Sequence, residues 1–277
     1  MNRVISLIIE GQVEQREIPD ASEELLPGVR WGDPWILFTP AYWLAHAWMH
    51  QADRTATSRY CTKQNLLHEL GFCMLGGFGI TAELATAAFT SCKDAGLFDR
   101  FETRVGVWIE RLSERLLVNQ RLVKYRYPKQ KARYLAAAMS YFRDHQFGLE
   151  SPLALRNQLL EIDGVGYKTA SWVVRNVLDS DDVAILDIHL IRAGRLCGLY
   201  SKHDNVQHDY LNMEQRFLSF SRALRLRPAV LDCLIWDEMR AAGSLPIEML
   251  NHIEQQLSAG NEGIRRQHRR IQMELRL

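Results

Sequence analysis

The chain has 277 residues, 47% of them hydrophobic and 24% charged, with 34 Lys and Arg against 33 Asp and Glu for a net charge of +1. A chain of this length and composition buries its own core without a disulfide or metal staple, and its balance does not announce nucleic acid, so any basic surface must be local. Five cysteines, an odd number without a CxxC pair, argue against a disulfide framework and for a reducing cytoplasm.

The first apolar run, RVISLII at residues 3–9, is too short to span a membrane and lacks a small-residue cleavage site, so neither a membrane segment nor a signal peptide is expected. With QVEQREI at 12–18 it flanks Glu10-Gly11 and reads as a β-hairpin. The stretch LPGVRWGDPWILFTP, with three prolines, reads as irregular. Helical patterning starts near Pro40. His46 and His50 are four apart there and could ligate a metal from one face, but no third ligand is evident, and a packed aromatic helix is the expected reading. Two helices follow, broken at Gly76-Gly77-Phe78-Gly79, with Thr81 as the N-cap of the second. Residues 100–120 read as one further helix or two.

Arg121, Lys124, Arg126, Lys129, Lys131 and Arg133 then occur without an acid among them, interleaved with Tyr125, Tyr127 and Tyr134. Basic residues among aromatics suit a nucleic-acid surface, and they equally suit a solvated helix face. Ser151-Pro152 opens another helix. Later helices include one beginning at Pro228, and a basic tail carries Arg265, Arg266, Arg269 and Arg270.

The chemistry concentrates between Leu159 and Arg192. An amphipathic helix over 153–162 ends at Asp163, Gly164-Val165-Gly166 turns, and a second helix runs from about Tyr167 to Val177, with Ala170 small enough for close contact. This helix-hairpin-helix pattern points backbone N–H groups and a helix N-terminus at a phosphate, which positions a strand without reading its sequence. Lys168 falls in the first turn of the second helix. The helix dipole opposes a cation there, the direction a neutral amine nucleophile needs; the alternative is a lysine that only faces phosphate. The apolar run Val183–Leu186 leads into Asp187, which stands where an N-cap stands and where a carboxylate could also stabilise a forming cation.

These residues resemble the helix-hairpin-helix superfamily of DNA glycosylases, and within it the 8-oxoguanine DNA glycosylase/lyases of the small archaeal and bacterial type. The resemblance rests on ELGFCML (69–75), YRYPKQKARYL (125–135), IDGVGYKTASWVVRN (162–176) with AILDIHLIR (184–192), and LDCLIWDEMRAAG (231–243). It implies a bifunctional glycosylase/AP lyase acting in base excision repair on double-stranded DNA that contains a damaged or modified base. Lys168 would be the nucleophile and Asp187 its activating partner. Gly164, Gly166, His189, Arg126, Lys129 and Lys131 would meet the DNA backbone, and Trp172, Asp232 and Trp236 would meet the flipped base; core packing is the alternative for both tryptophans. No catalytic metal or other cofactor is implied, beyond a structural monovalent cation at the hairpin. Only Cys197 and Cys233 follow the hairpin, which excludes the four-cysteine iron–sulfur loop of related glycosylases.

The expected architecture is mainly α: two helical lobes with a cleft between them and a small N-terminal β-hairpin and irregular extension. Its segments are an extension at 1–40, a helical lobe with the basic segment at 41–148, the helix-hairpin-helix lobe at 149–243 and a helical tail at 244–277. A monomer in the cytoplasm of a prokaryote, associated with the nucleoid, is expected. Two other functions stay open at this point: a glycosylase for a non-repair base such as a phage or host modification, and a non-enzymatic DNA-binding protein. The 34 residues after Gly243, the GGFG stretch and the first 60 residues depart from the family's short members.

Overall fold

A computed structural model describes residues 2–50, 62, 65–77 and 79–256. In chain order it forms β1 (Arg3–Ile9), β2 (Gln12–Ile18), β3 (Glu24–Leu26), β4 (Val29–Arg30), α1 (Pro40–Met49), α2 (Leu66–Leu75), α3 (Ala82–Asp94), α4 (Val105–Ser113), β5 (Arg115–Val118), β6 (Arg121–Lys124), α5 (Pro128–Asp144), α6 (Pro152–Leu159), α7 (Tyr167–Leu178), α8 (Ile188–Leu196), α9 (Val206–Ala223) and α10 (Pro228–Ala241). A last helix, α11, covers 245–256. The described chain is mostly helical, with three two-stranded antiparallel sheets. None of its helices is long and apolar enough to cross a membrane. The basic tail, Phe78 and Cys61 lie outside the described residues.

The chain divides into two compact units, one of residues 1–51, 187–205 and 234–277, the other of 52–186 and 206–233. In the first unit, β1 pairs with β2 from Arg3↔Ile18 to Ile9↔Gln12. Glu10 and Gly11 turn the hairpin with φ of 51° and 78°. Alternation then decides which residues are inside: Leu7 and Ile9 bury against Ala45 of α1, while Val4, Ile8 and Val13 stay exposed. Arg3 ties the hairpin to the following loop through Asp33 and the Pro19 and Gly32 carbonyls. α1 starts at Pro40 behind Thr39, whose hydroxyl accepts from Tyr42 N–H.

The second unit is organised around α2, where every residue from Leu67 to Leu75 is buried. Such a helix needs apolar neighbours all round, and α3, α5 and α7 pack against it. Thr81 caps α3, accepting from Leu84 N–H, and Ser151 caps α6, accepting from Ala154 N–H. α6 ends at Leu159, earlier than the pattern over 153–162 suggests, because the chain tightens into turns in which Ile162 N–H donates to the Leu159 carbonyl. The helical reading of residues 100–120 needs a larger correction. α4 stops at Ser113, and β5 and β6 form a hairpin with Val118 opposite Arg121. Asn119 and Gln120 make the turn at φ of 46° and 64°. Both central residues of such a turn require positive φ, and Gln at the second is a weak sequence signal for it.

Candidate active site

Lys168 lies in the first turn of α7, partly exposed. Gly166 is the N-cap, no side chain caps the helix, and its first turn holds no acid. The leading N–H groups of a 12-residue helix therefore face outward without a side-chain acceptor, the arrangement that favours an anion. Gly164 and Gly166 differ in kind. Gly164 takes φ of 82°, and a Cβ there would come within 2.2 Å of the Tyr134 ring. Gly166 has an ordinary φ of −101°, and a Cβ would meet nothing within 4 Å. Intramolecular packing thus requires glycine at 164 and leaves the space over 166 open.

α7 is held by buried polar contacts that the sequence did not announce. Glu214 of α9, fully buried, accepts from Arg156 Nη1 at 2.8 and 2.6 Å and from Ala184 N–H at 3.0 Å. Ser171 of α7 lies beside it, its hydroxyl 3.4 Å from the same carboxylate. One residue therefore ties α6, α7 and the 183–186 segment to α9. Tyr210 adds to this by donating to the Ala184 carbonyl at 2.7 Å. Further along α7, Arg175 donates to Asp232 at 2.9 Å, both side chains buried. Asp232, expected at the base edge, is thus in a buried ion pair. Trp172 is half-buried, edge-on to Phe72 with ring centroids 5.8 Å apart, and its ring closes over Gly76.

The basic segment divides. Arg126 and Lys129 are exposed, with Arg126 lying over the Tyr127 ring and against Gly79. Lys131 instead turns inward and donates to the Met74 and Gly76 carbonyls at the end of α2. Burial, with the Lys168 charge nearby, brings the Lys131 amine down to about 8. A groove lined by α3 and the β5–β6 hairpin contains none of these residues.

In the other unit, Asp187 is the N-cap of α8. Its Oδ1 accepts from both His189 N–H and Leu190 N–H at 2.9 Å, so capping engages one carboxylate oxygen and leaves Oδ2 outside the cap. His189 meets the Trp236 ring edge-on at 5.9 Å, and Arg240 lies over the same indole at 5.0 Å.

The family model described as 8-oxoguanine DNA glycosylase, of the helix-hairpin-helix type, matches residues 51–226, more than half of the chain. The chain is 34% identical over 118 residues to an 8-oxoguanine DNA glycosylase/AP lyase of Metallosphaera sedula, covering 40% of this chain and 57% of that protein. It is 30% identical over 179 residues to one of Picrophilus torridus, covering 63% and 78%. Among solved structures, it resembles the Methanocaldococcus jannaschii 8-oxoguanine glycosylase/lyase in complex with a 15mer DNA containing 8-oxoguanine, with a TM-score of 0.52 and 24% identity over 73% of this chain and 95% of that one. That likeness is one of fold.

Proposed function

Since the chain belongs to the 8-oxoguanine DNA glycosylase family of the helix-hairpin-helix type, we propose that it excises an oxidised purine, 8-oxoguanine foremost, from duplex DNA and then cuts the strand by lyase chemistry. The observation that carries this reading is the start of α7: Lys168 sits in its first turn, behind an open glycine and an uncapped helix end, within the family match. The hairpin takes a backbone phosphate on its N–H groups, fixing the strand without reading it. The damaged nucleotide leaves the stack, as chemistry on a base inside a duplex demands.

The Lys168 amine attacks C1′, the N-glycosidic bond breaks, and the base departs with a proton. The C1′–O4′ bond then breaks as the Lys168 nitrogen forms a double bond to C1′, O4′ takes a proton, and the opened sugar is held as a Schiff base. Loss of a C2′ proton breaks the C3′–O bond and cuts the strand 3′ to the lesion. Asp187 stabilises the positive charge that develops at the sugar and helps take the amine proton, and its second oxygen is outside the α8 cap. Arg126, Lys129 and His189 meet phosphates, and Trp172 and Trp236 pack on the extruded base. The reaction uses the chain's own amine and carboxylate and asks for no cofactor.

The test is base release from duplexes carrying 8-oxoguanine, compared with the same duplexes carrying guanine and with a panel of other modified bases. Release confined to 8-oxoguanine or close oxidised purines supports the proposal; release of a different modified base alone refutes its substrate, and no release from any duplex by the folded chain refutes the enzyme.

A further inference from the structure

Tyr42, His46 and His50 recur every four residues along α1 and so share one face. Facing them is Glu238 of α10, in the same compact unit. His46 Nδ1 lies 3.7 Å from Glu238 Oε1, and His50 Nε2 lies 3.8 Å from the same oxygen. One ligand atom from each of the three residues falls within 4.8 Å of the others. Among the described residues this is the one group of three His, Cys, Asp or Glu side chains so arranged.

Two features separate this cluster from a hydrogen-bonded network. The gaps of 3.7 and 3.8 Å are too long for either imidazole to donate to the carboxylate. They are close to the roughly 3.4 Å that separates two ligands of a tetrahedral ion bound at about 2.0–2.1 Å. Moreover, His46 Nδ1 is a buried nitrogen with no hydrogen-bond partner, a condition that costs free energy unless something occupies the lone pair.

We propose that His46, His50 and Glu238 form a binding site for a divalent first-row transition metal of the zinc class, with water completing the coordination. The donor set of two imidazoles and a carboxylate is one that zinc accepts. The surroundings are built for it. Tyr42 O–H donates to Glu238 Oε2 at 3.3 Å, leaving Oε1 toward the histidines. The Tyr42 ring lies 4.0 Å from the His46 imidazole, fixing its plane. Both histidines are in the last turn of α1 or just past it, where the helix dipole favours a cation. His50 is more than half exposed, so its ring is free to close the final distance. The ion would join α1 to α10 within this unit, and none of its ligands takes part in the lysine chemistry proposed above.

The experiment strips the full chain with a chelator, dialyses it against zinc, and counts metal per chain by elemental analysis, with cobalt substitution for the spectrum. The site predicts one equivalent of zinc, a raised melting temperature in zinc, and a cobalt spectrum without thiolate charge-transfer bands. His50→Ala and Glu238→Gln should each lose at least 100-fold in zinc affinity while keeping the wild-type circular dichroism. Tyr42→Phe, which removes only the carboxylate's partner, should lose about 10-fold. No stoichiometric zinc in the wild-type chain, unchanged affinity in His50→Ala, or a thiolate-bound cobalt spectrum would each overturn the proposal. Should Glu238→Gln fail to fold, His50→Ala decides alone, because its side chain is mostly in solvent.

Discussion

Glu214 gives the most demanding test of how α7 is held. Its carboxylate is fully buried and takes two close contacts from Arg156, itself 8% exposed, together with the Ala184 N–H. Glu214→Ala leaves the guanidinium buried without its counter-charge, which costs about 3–5 kcal/mol. It also orphans the Ala184 amide, for which a buried donor costs about 1–3 kcal/mol. The two effects share a site and do not add fully, so the expected loss is about 4–6 kcal/mol, a large part of the roughly 5–15 kcal/mol that holds a domain together. The double variant Arg156→Leu, Glu214→Leu removes both charges. It should recover most of the loss and keep only the amide's share, about 1–3 kcal/mol. Urea unfolding followed by circular dichroism measures both. A loss below about 1 kcal/mol in the single variant, or a double variant no more stable than the single, would refute the claim that an uncompensated buried charge dominates.

Other consequences follow from the same geometry. Gly164→Ala should destabilise the chain by more than about 1 kcal/mol, since it demands a strained φ and collides with Tyr134, whereas Gly166→Ala, which gives up only the N-cap preference for glycine, should lower the urea midpoint less and weaken binding to duplex DNA; equal effects on stability would contradict the distinct duties given to the two glycines. Asp187→Asn should keep the α8 cap, because an amide oxygen accepts as well, retain DNA affinity, and abolish base release; retained release would remove Asp187 from the chemistry. Lys131 titrates near 8 in the folded chain and near 10.4 when unfolded. At this site the unfolded chain thus binds more protons between these values, so Lys131's own contribution to stability should rise with pH from about 8 to about 10, against the opposite contribution of the buried Cys73, Cys92 and Cys197 thiols, all pushed up by burial. Lys131→Met should remove that rise, and identical pH profiles for variant and wild type would refute it.

Much of the fold was legible because its signals were local. Glu10-Gly11 between two β-branched runs marked the first hairpin, and Thr81, Ser151 and Asp187 marked helix starts that their side chains do cap. The β5–β6 hairpin was not legible, because Gln120 takes a left-handed conformation that its residue type seldom signals. The charged core was hidden for a different reason. Arg156, Arg175 and Glu214 sit on helices as ordinary charged residues do, and only the fold brings Arg156 to Glu214, 58 positions away. The histidine pair on α1 was visible by its spacing, but Glu238 is not a neighbour of either in sequence; Tyr42, its hydrogen-bonding partner on the same helix, is 196 positions away. Local patterns gave the hairpin, the lysine and the capping aspartate. The groups that hold them depend on long-range packing.

The central claim is that Lys168 is the nucleophile, and trapping tests it most directly. Wild-type chain incubated with an 8-oxoguanine duplex and borohydride should yield a covalent protein–DNA adduct. Lys168→Gln should bind the duplex and yield none. An adduct formed as well by Lys168→Gln, or none formed by the folded wild-type chain, would contradict the account.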